Sequence, residues 1–279
     1  MKNLKDHVIL YDASCPMCDL YTKGFQKAGM LDANGRLPYQ TMPDNFACRI
    51  DQNRLVDEIA LVDKTSGKVY YGVESLLTII VHSFPRLRPL SQNSVFLKCA
   101  DRLYKFISFN RRVIIPAQKK EMQNPAMNPS FRWEYRLAYI IFSLFLSACI
   151  LNQYSQQMTA ILPFGGFARE WMICSGQLLW QGAVVSFSKQ GKTWDYLGNL
   201  MTISLAGSLV LAVVLIFGSI FSIHAPFFYL AAFGATVFLM LLEHIRRSHL
   251  LDLGWKLSAS WILYRVLVLL IILILNYAA

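Results

Sequence analysis

The sequence predicts two parts in series: an α/β domain, and after it an all-α bundle of about five membrane-crossing helices. Three observations carry this. Through about residue 130 of the 279-residue chain, charges, turns and short apolar runs alternate as in a soluble domain. After Trp133, long apolar runs are separated by short polar loops. At the front, "VILYDASCPMCDLY" joins an apolar run to a helical pattern through two cysteines spaced two residues apart.

The elements follow in order. Residues 5 to 11 end in a nearly continuous run of β-formers, the pattern of a strand buried on both faces. Pro16 suits the first position of a helix, where no N–H donor is needed, so Cys15 falls at the N-cap. Met17, Leu20, Tyr21, Phe25 and Ala28 keep helical spacing, and Gly29 suits the C-terminal end. Asn34-Gly35 makes a turn. "RLPYQTM" reads as a second strand, at an edge or bulge because of Pro38. A loose stretch from Pro43 to about Arg54 includes a short helical turn. "EIALVD" and "KVYYG" are two strands joined by a turn at Lys64 to Gly67, and "VESLLTIIVHSF" is a helix ended by Pro85. The order β-α-β then β-β-α, with CxxC at the first strand-to-helix junction, is the thioredoxin-like plan.

Residues 94 to 110 form an amphipathic helix with Val95, Phe96, Cys99, Leu103, Phe106 and Ile107 along one side. That side docks on its own domain or lies on a membrane surface. A basic linker, "RRVIIPAQKKEMQNPAMNPSFRW", follows. The expected boundaries are 1–112 for the α/β domain, 113–132 for the linker and 133–279 for the membrane domain.

Thiol–disulfide exchange needs an attacking thiolate and a second thiol to resolve the mixed disulfide. An ordinary cysteine is mostly protonated at neutral pH. A helix N-terminus, with unpaired N–H groups and about half a positive charge, favours the thiolate of Cys15. Cys18, one turn on, is placed as the resolving thiol. Asp12, three residues before Cys15, is placed to take a proton from Cys18, or serves as a turn and capping residue. Alternatives stay open, because a lone CxxC also occurs in zinc sites and as an inert pair. No second CxxC or CxxH is present, and Cys48 with His7 or His82 would complete a zinc site only if the fold gathered them. No metal and no cofactor is expected. The six cysteines are irregularly spaced, unlike the framework of a small secreted protein. "MKNLKDHVILYD" holds too short an apolar run for a signal peptide.

"YDASCPMC" resembles the DxxCxxC signature of the DCC family of thiol–disulfide oxidoreductase-like proteins. "IALVDKTSGKVYYGVESLL" is similar to the family's second block, and "LYKFISFNRR" to its closing helix with an Asn-Arg pair. The resemblance covers roughly residues 7 to 112. It implies a thioredoxin-like fold, redox-active Cys15 and Cys18, and Asp12 as a functional neighbour. Two departures stand out. Ala13-Ser14 occupies a place where the family more often has a Gly-containing pair. Thioredoxins also set a proline, usually cis, just before the third strand, where a peptide substrate docks; here that place holds Val56-Asp57-Glu58.

Apolar segments near 135–152, 171–188, 198–222, 226–244 and 257–277 are the expected spans. The second is the weakest, being short with two Gln, and reads otherwise as a re-entrant or interfacial segment. Arg111, Arg112, Lys119, Lys120, Arg132 and Arg136 precede the first span and point to a cytoplasmic N-terminal domain. With five spans, the loops bearing Lys189 and Lys192, and Arg246, Arg247 and Lys256, fall on that same side. Cys149 and Cys174 read as small apolar residues in helices. Arg265, Glu243, His244 and His249 are ionisable groups at or near membrane depth. Arg265 is expected to snorkel, or else to pair with Glu243. The net charge of +10 fits a membrane partner, and no nucleic-acid motif accompanies it. The overall expectation is an integral protein of a bacterial inner membrane. Its partners are the lipid bilayer, a thiol or disulfide substrate and a membrane protein. It is a thiol–disulfide oxidoreductase, a non-enzymatic module that binds or senses redox state, or a small-molecule carrier in the helix bundle with Arg265 near its site.

Overall fold

The computed structural model describes residues 2–43, 50–117, 129–188 and 190–278. Cys48, Lys119, Lys120, Lys189 and the middle of the basic linker lie outside the described residues. The chain divides into two compact units, Met1–Tyr135 and Arg136–Ala279.

In the first unit, β1 (His7–Tyr11) leads into α1 (Pro16–Lys27), β2 (Arg36–Pro38), α2 (Gln52–Asp57), β3 (Ala60–Asp63), β4 (Val69–Tyr71) and α3 (Gly72–Ser83). The sheet order is β2-β1-β3-β4. β1 pairs parallel with β2 and antiparallel with β3, and β3 pairs antiparallel with β4. β1 is apolar from Val8 to Leu10 because both its faces are covered there. Val8 and Leu10 pack with Tyr39, Ile50 and Leu55 on one side, and Ile9 packs with Leu61 and Ile79 on the other. Gly29 follows α1 at φ +69°, a left-handed conformation that stops the helix.

Two expectations change here. "RLPYQTM" is a strand only over Arg36–Pro38, and Tyr39–Thr41 turns as a 3-10 helix. Pro38 has no N–H with which to extend the ladder. After Pro85 the chain makes a short helix, α4 (Arg88–Gln92), that the periodicity did not suggest.

α5 (Ser94–Ile114) is capped by Asn93, whose Oδ1 accepts from the N–H groups of Val95 (2.9 Å) and Phe96 (3.0 Å). It runs on through Arg111 and Arg112, which the sequence had suggested begin the linker. It docks on its own unit, but not by the predicted stripe. Val95 is 68% exposed and Leu103 59%. The docking residues are Tyr104, Ser108 and Arg111, spaced four and three apart on one helix face. Tyr104 Oη accepts from the Ile59 N–H at 3.0 Å, and Ser108 donates to the Asp57 carbonyl. Backbone groups left open just before β3 draw this polar stripe inward.

The second unit is a bundle of α6 (Trp133–Ser155), α7 (Gly166–Ser188), α8 (Thr193–Ile220), α9 (Pro226–Leu250) and α10 (Lys256–Ala278); the first residues of α6 belong to the first unit. Four of these, α6, α8, α9 and α10, are long and apolar enough to cross a membrane. α7 falls short of that hydropathy, as its polar residues foretold. It nevertheless has 23 residues, about 35 Å at a 1.5 Å rise. Its polar side faces inward, since Glu170, Gln177 and Gln181 are buried while Leu179 is 73% and Phe187 91% exposed.

The contacts also order the bundle's ends. Arg136 at the start of α6 donates to Trp194 O (3.2 Å) at the start of α8, and Lys192 donates to Leu251 O (2.6 Å) between α9 and α10. At the other end, Tyr154 Oη near the end of α6 donates to Tyr229 O (2.8 Å) at the start of α9. α7 therefore runs the length of the bundle. Inside, Tyr196 donates to Gln181 Oε1 (2.7 Å) and bonds His244 Nε2 (2.9 Å), while His244 Nδ1 bonds Ser258 (3.0 Å). Polar groups in an apolar bundle need such internal partners.

The expected pairing of Arg265 with Glu243 is absent. Glu243 is held by Arg246 (2.6 Å) and Arg247 (2.7 Å) of its own helix, one turn away. Arg265 turns into the bundle, toward Gln177 and Trp261, instead of snorkelling.

Candidate functional site

Where β1 ends, residues 12 to 15 form a turn closed by the Cys15 N–H on Asp12 O (3.1 Å). Cys15 is the N-cap of α1, and its Sγ accepts from the Cys18 N–H at 3.4 Å. Cys18 lies one turn on. Both are free thiols, and both are buried.

Asp12 is buried beside this turn. Its Oδ1 accepts from Ser14 N (2.9 Å), Ser14 Oγ (2.6 Å) and Gln40 Nε2 (2.8 Å), and its Oδ2 accepts from Arg112 Nη2 (2.8 Å). None of these partners is a cysteine. Arg112 also donates to Ser14 O (2.8 Å) and Ser14 Oγ (2.9 Å). The Ala13 N–H reaches Gln40 Oε1 at 3.2 Å. The turn that presents Cys15 is thus tied to the far end of α5 by charge-assisted bonds.

Arg111, the neighbour of Arg112, is buried too. It donates to Val56 O (2.7 Å), Asp57 O (3.2 Å) and Ser108 Oγ (3.1 Å). These two carbonyls lie where a thioredoxin has its proline. No peptide bond among the described residues is cis.

The surroundings drive the two thiols apart. The Cys18 thiol donates to the Cys15 sulfur, which is the largest influence on Cys15. Burial opposes it, and Arg111, the Cys18 N–H and Arg112 add to it. The result holds Cys15 at about 6, against an ordinary 9.0. This favours the Cys15 thiolate at neutral pH. The same contact raises Cys18, and so do burial and the negative charge on Cys15. Tyr21, which also meets Cys18, is pushed up chiefly by burial.

A cavity of about 330 Å³ opens beside Cys18, lined by Met17, Tyr21, Leu103, Ile107 and Arg111 among others. Its walls are almost wholly apolar. Among the described residues, no three His, Cys, Asp or Glu side chains gather closely enough to hold a metal ion.

The structure brings Asp12, Cys15 and Cys18 into one corner. It adds Ser14, Gln40, Arg111 and Arg112, which residue-level reasoning had not placed there. Arg111 and Arg112, at the junction of domain and linker, were read for their topological charge. The one sign of their role was the Asn-Arg pair at the end of "LYKFISFNRR". Asn110 itself turns the other way, donating to Phe106 O (2.9 Å) and Tyr135 O (3.0 Å).

No curated protein matches the chain, and no solved structure does. Residues 9–115 match the family model described as DCC1-like thiol-disulfide oxidoreductase. The chain therefore joins a domain of the DCC1-like thiol–disulfide oxidoreductase type to helices apolar enough to cross a membrane.

Proposed function

We propose that the protein exchanges thiols and disulfides at the cytoplasmic face of a bacterial inner membrane, with Cys15 as nucleophile and Cys18 as resolving thiol. The observation that carries this is the position of the Cys15 sulfur. It caps α1, accepts from the Cys18 N–H, and feels the buried charge of Arg111. The Cys15 thiolate attacks a substrate disulfide, forms a mixed disulfide and releases the first thiolate. Cys18 then attacks the Cys15 sulfur, and its proton passes to the departing second thiolate. Two electrons leave the dithiol, and a Cys15–Cys18 disulfide remains. Two cellular thiols restore the dithiol: the first opens that disulfide to a mixed disulfide, and the second attacks the mixed disulfide and leaves joined to the first as a disulfide.

Asp12 acts in this scheme as a positioning residue. Four donors already occupy its oxygens, so it holds the turn and Arg112 in place. The substrate is a disulfide of a small or apolar thiol and not an extended peptide. The carbonyls of Val56 and Asp57 are taken by Arg111, and the space next to Cys18 is apolar. Charge supports the cytoplasmic side: Arg136, Lys192 and Arg247 lie at the end of the bundle where α6 begins, and Arg132 precedes α6 in sequence.

Trapping tests the chemistry. Cys18→Ser should accumulate a substrate as a mixed disulfide on Cys15. A Cys15→Ser variant that traps equally well would refute the assignment. Membrane-impermeant labelling of single cysteines at Arg132, Lys192 and His224 tests the sidedness. The first two should label from the cytoplasm and the third from outside; the opposite pattern rejects it.

A second reading, a binding or redox-sensing module without turnover, draws on the complete burial of the Cys15 sulfur. Repeated turnover with a small disulfide would exclude it.

A further inference from the structure

Within the helical unit lies a cavity of about 530 Å³, bounded by α6 through α10. That size suits a small organic ligand. Most of its wall is apolar, but four of its residues carry a buried polar atom without a hydrogen-bond partner: Ser147 Oγ, Gln177 Nε2, Trp261 Nε1 and Arg265 Nε. Ser147, Gln177 and Trp261 are each more than nine-tenths buried. Amide, indole and guanidinium nitrogens can only donate. The cavity therefore presents several donors and wants acceptors.

It also wants negative charge. Among the described residues Arg265 has two partners, Gln177 Oε1 at 3.1 Å and the Trp261 ring at 4.1 Å, and both are neutral. The acid on the cavity wall, Glu170, is already paired with Arg169 at 2.7 Å. A guanidinium at this depth without a counter-anion is costly, and such residues mark ligand sites.

We propose that this cavity binds a lipid-soluble anion, an apolar chain or ring ending in a carboxylate or phosphate. Its oxygens accept from Arg265, Gln177 and Trp261, and its apolar part fills the space toward Leu211 and Phe233. An oxyanion satisfies several donors at once and neutralises the arginine. A neutral carbonyl does only the first. The site is separate from Cys15 and does not depend on the redox reading.

The test uses the full chain in phosphatidylcholine nanodiscs with cis-parinaric acid as fluorescent probe. Binding should saturate, and oleate should displace the probe while methyl oleate, equally apolar but uncharged, should not. Displacement by oleate alone assigns a free fatty acid; displacement by phosphatidic acid alone assigns a lipid headgroup. Arg265→Gln should weaken binding by about tenfold or more, with Arg265→Lys retaining part of it. Ser147→Leu should block binding by filling the space while leaving the charge. Non-saturable partitioning, equal displacement by methyl oleate, or full binding by Arg265→Gln would overturn the proposal. The competition needs only the unaltered protein, so it decides even where a variant fails to fold.

Discussion

Two arginines, one in each unit, are partly buried and are treated in opposite ways. Arg112 meets a buried carboxylate, Asp12, at 2.8 Å and completes its shell of donors. Arg265 meets an amide oxygen and an aromatic ring, and among the described residues no carboxylate pairs with it. The first arrangement is closed. It locks a turn whose geometry sets the reactivity of Cys15. The second is open and keeps donors in reserve around a cavity. A carboxylate filled by four donors, one of them a cation, defines a geometry, whereas a guanidinium with only neutral partners defines a need for an anion.

The closed site can be broken at several levels. Cys15→Ser should abolish disulfide exchange, leaving no turnover above background in an assay with a small disulfide. Loss of less than half the rate would move the nucleophile elsewhere.

Arg112→Ala leaves the Asp12 carboxylate buried without its cation. A loss of about 3 kcal/mol is expected, read as a lower unfolding temperature of the first unit in the full chain. Asp12→Asn combined with Arg112→Gln should recover part of that loss. If Arg112→Ala melts like the unaltered protein, the turn is held by Ser14 and Gln40 alone.

Arg111→Met removes a cation from the vicinity of both sulfurs. The Cys15 thiolate then becomes less favourable, and its midpoint should rise from about 6 by roughly one unit. Iodoacetamide alkylation against pH measures it. Stability carries the same signature. Cys15 titrates lower in the folded chain than its ordinary 9.0, so its contribution is present above that ordinary value and lost as pH falls through about 6. Cys18 is shifted the other way, so above the ordinary thiol value the unfolded chain ionises it more readily and stability declines. Stability of the dithiol form should therefore climb between about pH 6 and 9 and fall beyond. A Cys15→Ser, Cys18→Ser double variant should lack both slopes.

The smallest effect concerns a filled polar cluster near the bundle's basic end. Tyr196→Phe strips a donor from Gln181 and a partner from His244. It should cost about 1–2 kcal/mol, visible as a modest fall in the detergent melting temperature. A neutral outcome would mean that this network, like the cavity around Arg265, tolerates unmatched groups.

Most of the α/β plan was legible because its signals are local. An uninterrupted apolar strand reports burial on both faces. Pro16 after Cys15 reports a helix start and Gly29 its stop, and the CxxC between them reports where a thiolate would be favoured. The apolar segments after Trp133 were equally plain. α5 misled because its most regular apolar stripe is not its docking face. Tyr104, Ser108 and Arg111 dock because open carbonyls near residue 57 receive them, and those lie some fifty residues earlier in the chain.

By itself the sequence determined the order of the elements, the cysteine at the helix cap and the presence of spans, since each depends on residues within a turn or two of one another. Only the tertiary structure decided that Arg111 and Arg112 belong to the thiol site and not to a linker. It alone turned the glutamines of α7 inward, and it alone parted Arg265 from Glu243. Those outcomes depend on which distant groups were left without partners, and a buried charge or donor is matched in space, not along the chain.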